Sequence, residues 1–149
     1  MRLIAELNGV HATVNGLFSY PGILAPFGLT FLIDTGATCS CLLRDHVHYF
    51  GIPHTRLPDA NDGTETAAGR INPKILGQAE TYLPISDIED DPPTLRRLHF
   101  TDFQILPPPS RHSPEPRHKV VSLLGMDVLQ NFTKWSWDWE SRKLVLEDE

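Results

Sequence analysis

Asp34 is the residue best placed to do chemistry. It follows three large apolar residues in Phe31-Leu32-Ile33-Asp34-Thr35-Gly36-Ala37-Thr38, and a carboxylate set against such a run is expensive unless it is hydrogen-bonded or functional. Gly36, two residues on, lets the backbone turn sharply and approach another backbone closely. Thr35 brings a hydroxyl that can hold that turn, whereas Ala37 has none to offer the carboxylate. These are the requirements of a catalytic carboxylate presented on a tight, rigid loop. The simpler alternative is that Asp34 only caps a turn. Far downstream, Leu123-Leu124-Gly125-Met126-Asp127 contains a second apolar-apolar-glycine segment.

Three other constellations compete for attention. Cys39, Cys41, His46 and His48 lie close together and carry zinc-ligand atoms, but their spacing is not a usual structural one. The histidines also fall on an expected helix, where residues two apart face different ways, so buried cysteines and surface histidines are the simpler account and no metal is expected. The two cysteines are too close for an ordinary disulfide, in keeping with a reducing compartment. Trp135, Trp137 and Trp139 alternate with Ser136 and Asp138, which on a strand places three indoles on one face. Such a row packs a core or an interface, or stacks on sugars; without polar partners for sugar hydroxyls, core or interface is the better expectation. Asp127, near an expected helix start, suits a cap or a partner of the helix dipole.

These residues must be positioned by short apolar runs separated by turn residues. Arg2 to Leu7 and Val10 to Leu17 read as strands around an Asn8-Gly9 turn, a strong hairpin signal. Ser19-Tyr20-Pro21-Gly22 reads as a turn. Leu29 to Ile33 reads as a strand buried on both faces, running straight into Asp34. Leu43 to Phe50 suits a short helix stopped by Gly51 and Pro53. The polar, glycine-containing stretch from Pro58 to Gly77 suits a mobile hairpin. Thr81 to Ile85, Leu98 to Leu106 and Val120 to Leu124 are further strand candidates, and Met126 to Phe132 fits a second short helix. A last hairpin joins Trp135–Trp139 to Leu144–Leu146. Proline-rich surface loops are expected near 87–93 and 107–119. The pattern is an all-β domain with one or two short helices, expected to be a single domain over residues 1–149.

The chain resembles the retropepsin-like aspartic peptidases. The resemblance is carried by Phe31-Leu-Ile-Asp-Thr-Gly-Ala-Thr, by Phe50-Gly51-Ile52-Pro53, by Leu123-Leu124-Gly125-Met126-Asp127-Val128-Leu129 and by the final hairpin from Trp137 to Leu146. It runs from Val10 to Leu146 in order and is specific at the first and third of these pieces. It implies a closed β-barrel of the acid-protease fold with two loops crossing at the centre, Asp34, Thr35, Gly36 and Ala37 on one and Leu124 and Gly125 on the other. The chain has a single Asp-Thr-Gly motif, so the resemblance implies a homodimer in which a two-fold axis brings together Asp34 of each copy. Two adjacent carboxylates share one proton, a general property of aspartic-protease dyads. The ionised Asp34 would then activate water and the protonated one would donate to the scissile carbonyl of a polypeptide, with no cofactor. The family also closes a hairpin over its substrate, and Thr66-Ala67-Ala68-Gly69-Arg70 is the expected tip. Extended peptide would bind beneath it as an added strand.

Composition narrows the partners. Of 149 residues, 40% are hydrophobic and 21% charged, the balance of a globular rather than a disordered chain. The net charge of −6 disfavours nucleic acid, whose phosphates need a basic face. The apolar stretch from Gly22 to Ile33 contains Pro26 and is too short to span a bilayer. Glu6 and Asn8 interrupt any apolar signal region at the start, so a cytoplasmic, membrane-free protein is expected. Two alternatives stand beside the peptidase: a non-catalytic dimerisation or peptide-binding module on the same fold, and a carbohydrate-binding β domain that uses the tryptophan row.

Overall fold

A computed structural model of the chain describes residues 1–23, 25–43, 46, 51–60, 64–66, 69–71, 73–87, 92–106 and 122–148. Its strands are β1 (Arg2–Asn8), β2 (His11–Ser19), β3 (Phe27–Ile33), β4 (Cys41–Leu43), β5 (Thr64–Thr66), β6 (Gly69–Ile71), β7 (Lys74–Ser86), β8 (Thr94–Leu106), β9 (Ser122–Leu124), β10 (Lys134–Asp138) and β11 (Lys143–Glu147). One helix, α1 (Met126–Leu129), and a single 3₁₀ turn at His54–Arg56 complete the described elements.

The first hairpin forms because Gly9 takes the left-handed conformation, φ +65°, at the turn between β1 and β2. Alternation then decides what each strand buries. Leu3, Ala5 and Leu7 of β1 and Ala12, Val14 and Phe18 of β2 point inward. β3 alternates as well: Leu29 and Phe31 are buried, while Thr30 and Leu32 are only half-buried. The expectation of a strand buried on both faces is therefore corrected, because Leu32 pairs beside Thr13 on the outer side. Phe18, Phe31 and Phe103 are fully buried at the centre, each contributing about 1.5–3 kcal/mol by leaving water.

The main sheet runs β10-β11-β1-β2-β3-β9-β4-β8-β7. Its order returns on itself, because β7 pairs with β8 along one edge and with β2 and β1 along the other, Leu17 facing Tyr82 and Arg2 facing Ser86. Gly16 permits that return: a Cβ there would sit 2.6 Å from the Tyr82 carbonyl oxygen and 2.9 Å from Leu83 Cδ2. β5 and β6 form a separate two-stranded sheet.

Several boundaries differ from the sequence expectations. Leu43 belongs to β4 rather than to a helix; His46 is helical, and the rest of the expected helix, 44–45 and 47–50, lies outside the described residues. β7 begins at Lys74, inside the stretch expected to be a mobile hairpin, since its first residues pair with Gln104 and Ile105 across a bulge at Gly77. α1 stops at Leu129, and residues 130–132 form a turn or irregular chain. Most of the expected proline-rich loops, 88–91 and 107–119, lies outside the described residues. Among the described residues no helix is long and apolar enough to cross a membrane.

Candidate active site

Two strands separated by most of the chain bring the site together. β3 and β9 lie parallel, Phe31 facing Ser122 and Ile33 facing Leu124. Asp34 continues that ladder by donating its N–H to the Leu124 carbonyl at 3.0 Å. The backbone then turns: Ala37 N–H donates to the Asp34 carbonyl at 3.2 Å, and Gly36 N–H donates to Asp34 Oδ1 at 2.9 Å. The carboxylate is thus aimed by its own loop and half-buried, while Thr35 and Gly36 are exposed beside it.

The second loop locks onto the first. Met126 N–H donates to the Ala37 carbonyl at 2.8 Å and Asp127 N–H to the Thr38 carbonyl at 3.1 Å. Gly125 sits where the two backbones touch. A Cβ there would meet Cys39 C at 2.7 Å and the carbonyl oxygens of Ala37 and Cys39 at 2.8 Å, so the glycine is required by space alone. Asp34, Thr35, Gly36 and Ala37 therefore lie against Leu124 and Gly125.

Ser40 and Asp127 complete the lock. Ser40 is fully buried and donates its hydroxyl to Asp127 Oδ1 at 2.6 Å and its N–H to Asp127 Oδ2 at 2.9 Å. The same hydroxyl accepts the Gly125 N–H at 2.9 Å. Asp127 Oδ1 also accepts the Val128 N–H at 3.0 Å. The expected structural role of Asp127 holds in part, but its larger work is to clasp the Asp34 loop from the far side of the chain. Ser40 was not singled out by sequence, because a serine between two cysteines carries no signal until its partner is known.

The cysteines and His46 serve packing. Cys41 lies in β4 opposite Leu123, and burial pushes its thiol up to about 12, with the nearby Asp34 and Asp127 carboxylates adding to the rise. Burial likewise raises the Cys39 thiol, followed by the charges of Asp127 and Asp102. Both are free thiols. His46 Nδ1 lies 2.9 Å from the hydroxyl of the fully buried Ser122, tying the segment after β4 to β9. No group of three or more metal-binding side chains occurs among the described residues.

A hairpin, β5 and β6, occupies the stretch where the closing one was expected, with Thr66 facing Gly69 and Glu65 facing Arg70. Ala67 and Ala68, the middle of the expected tip Thr66-Ala67-Ala68-Gly69-Arg70, lie outside the described residues. Its base is pinned: Ala60 N–H donates to the Pro73 carbonyl at 2.8 Å, Ile75 N–H to the Pro58 carbonyl at 2.9 Å, and Lys74 Nζ lies 2.7 Å from Asp59 Oδ1. A hollow of about 230 Å³ lined by Ser19, Tyr20, Gln78, Glu80 and His99 is not part of this site. It lies at the end of β2 that faces the start of β3, opposite the end from which Asp34 emerges.

The tryptophan row is broken. Trp135 is half-buried against the core, its indole N–H donating to the Phe132 carbonyl at 3.1 Å. Trp139 lies past the end of β10, because Asp138 Oδ1 accepts the N–H groups of Glu140 and Ser141 and turns the chain. Trp137 and Trp139 stack on each other, 5.6 Å between ring centroids and 17° between planes, and remain 47% and 62% exposed.

Among solved structures, the chain is similar to a retropepsin-like aspartic protease from Rickettsia conorii, with a TM-score of 0.54, 18% identity, and coverage of 98% of this chain and 90% of that one. At that identity the likeness shows the fold, which is all-β and retropepsin-like. No protein-family profile matches the sequence, and no curated protein does.

Proposed function

We propose that the chain is one subunit of an aspartic endopeptidase that acts as a homodimer. The observation that carries this is the Asp34 carboxylate, held by the Gly36 N–H on a loop clamped from behind by Gly125, Ser40 and Asp127, yet itself only half-buried. Rigid presentation of a carboxylate from a crossed-loop platform is what general acid–base chemistry needs. The fold it shares with a retropepsin-like aspartic protease supports the same reaction class.

One Asp34 supplies one carboxylate, so the second comes from another copy across a two-fold axis. At close range the two share a proton. The ionised member takes a proton from a water molecule as that water attacks the peptide carbonyl; the protonated member gives its proton to the carbonyl oxygen. The tetrahedral intermediate then collapses with proton transfer to the leaving nitrogen. Acid and base are both supplied by the pair, so the reaction calls for neither metal nor cofactor. Thr35, exposed beside Asp34, reaches toward the partner loop. The hairpin of β5 and β6, with Ala67, Ala68, Gly69 and Arg70 at or beside its tip, closes over an extended polypeptide and excludes water.

The test is cleavage of a mixed peptide library from acid to neutral pH by the wild type and by Asp34→Asn. Cleavage that vanishes in the variant, with fold and dimer retained, is expected. Silence from folded, dimeric wild type would instead favour a peptide-binding module on this fold.

A further inference from the structure

The hollow at the far end of β2 from Asp34 is framed by three neighbouring strands and a turn. Ser19 of β2 pairs beside Glu80 of β7, and Glu80 beside His99 of β8. Residues paired in this way share a face, so a hydroxyl, a carboxylate and an imidazole stand in a row along the hollow. The turn after β2 supplies Tyr20 and Pro21. The Ile23 N–H donates to the Tyr20 carbonyl at 3.3 Å and Gly22 takes φ +104°, as a turn with proline and then glycine at its centre requires. The Tyr20 ring stacks on the fully buried Phe18, 6.3 Å between centroids. β7 adds Gln78 from a bulge: Gly77 pairs with Phe103 and Ala79 with Phe100, and Gln78 between them has no opposite residue among those described. Bulges re-aim a side chain and are frequent beside functional sites.

Glu80 brings the charge. Its Oε2 accepts the Tyr82 hydroxyl at 3.0 Å, a bond that raises the phenol above its usual pKa and so keeps the proton on Tyr82. Its Oε1 has Arg97 Nη1 at 3.7 Å and His99 Nδ1 at 3.9 Å. Both distances are too long for a hydrogen bond. The histidine contact counts only with a protonated ring, and Arg97 is 66% exposed, where an ion pair contributes little. Oε1 is therefore open to a closer donor. Around it, the Gln78 carbonyl and the hydroxyls of Ser19 and Tyr20 can all accept, and the chain's net charge of −6 favours cations.

We propose that this hollow binds a primary alkylammonium group, with Glu80 Oε1 as its charged acceptor. The three N–H donors of an ammonium are shared among Glu80, the Gln78 carbonyl and a hydroxyl of Ser19 or Tyr20. The alkyl stem lies against Pro21 and the Tyr20 ring. A guanidinium fits less well, because its planar fork needs both carboxylate oxygens and Tyr82 holds one of them. The hollow's volume of about 230 Å³ is below the roughly 300–1,000 Å³ of pockets for drug-sized ligands, which suits one side chain. A lysine of a polypeptide and a free aliphatic amine present the same chemistry. The hollow lies at the opposite end from Asp34, so an occupant is anchored there and not cut. This inference goes beyond the peptidase reading and stands without it.

The experiment is a titration of the isotope-labelled full chain, followed through its amide NMR resonances, with Nα-acetyl-lysine methylamide and separately with cadaverine. Saturable shifts centred on Tyr20, Gln78, Glu80 and His99 are expected, with a Kd on the order of 1 mM, the range of a single small group. The same lysine derivative acetylated at Nε keeps the stem and loses the charge, and should leave these resonances unmoved. Glu80→Gln should weaken binding about tenfold or more. Arg97→Gln removes the competing cation and should tighten binding about threefold. A gain in affinity cannot come from misfolding, so this arm decides the matter even where Glu80→Gln disturbs the fold. No saturable response from folded wild type overturns the proposal. So does an equal response to the neutral analogue, or binding indifferent to both substitutions. An arginine derivative that binds as tightly as the lysine one overturns the choice of a primary ammonium. Tighter binding of the lysine derivative than of cadaverine supports the site and assigns it to a polypeptide; the reverse order supports it and assigns it to a free amine.

Discussion

Replacing Ser40 by alanine should loosen the platform beneath Asp34 without touching Asp34 itself. The hydroxyl gives a 2.6 Å bond to the Asp127 carboxylate and receives the Gly125 N–H at 2.9 Å. A bond to a charged group contributes about 1.5–3 kcal/mol, and an N–H left buried without a partner costs about 1–3 kcal/mol. Asp127 keeps the Ser40 and Val128 N–H groups, so the two losses do not simply add, and about 3 kcal/mol is the expected total. Ser40 is fully buried, which leaves no route for water to replace the hydroxyl. For a chain of this size that corresponds to a fall in Tm of about 6–12 °C. Urea denaturation should show the midpoint shifting with an unchanged slope, and a cycle with Asp127→Asn should give a coupling of about 1–2 kcal/mol. Displacement of the reacting group by about 1 Å lowers turnover about 100-fold, so peptide cleavage should drop even where the variant is fully folded. A Ser40→Ala protein within about 0.5 kcal/mol of wild type, or one destabilised with no coupling to Asp127, would refute the clasp.

Gly125→Ala should destabilise by about 1–3 kcal/mol, the range for an overfilled site, and it should silence cleavage more than its stability loss explains, because the atoms a Cβ would strike belong to the Asp34 loop; wild-type cleavage by a folded variant would contradict the crossing of the loops. Cys41 predicts an alkaline weakness. Its thiol rises from 9.0 unfolded to about 12 folded, so its contribution is complete below pH 9 and is lost as pH climbs toward 12. Within that window wild-type stability should fall by about 1.4 kcal/mol per pH unit faster than that of Cys41→Val. Parallel urea midpoints for the two proteins between pH 8 and 10.5 would reject a buried, neutral thiol.

What the sequence revealed was what local chemistry decides. Asn8-Gly9 marked the first turn, the apolar run into Asp34 marked β3, and Leu123-Leu124-Gly125 marked the second central segment. The hairpin of β5 and β6 fell inside the stretch read for it. What stayed hidden depends on partners distant in the chain. β4 is three residues long and is stabilised by β8 and β9, so Leu43 looked like the start of a helix. Lys74 to Gly77 looked like part of a mobile hairpin because the long strand there is imposed by β8. Ser40 and Asp127 are 87 residues apart, and neither type at either position announces the other. Trp139 fell outside the expected strand because Asp138 ends it by capping the turn, a competition between side chain and ladder that alternation alone cannot anticipate.

The parallel pairing of β3 with β9 also governs when the carboxylate becomes usable. During synthesis Asp34 leaves the ribosome long before Ser122 to Val128 are made, and until those residues arrive the Leu124 carbonyl, the Gly125 contact and the Asp127 carboxylate do not exist for it. Such distant pairings also form slowly, because the intervening chain must be closed before any contact repays it. An incomplete chain therefore carries the motif without the platform. Asp34 is therefore set in place only once the β9 segment has been made and paired with β3.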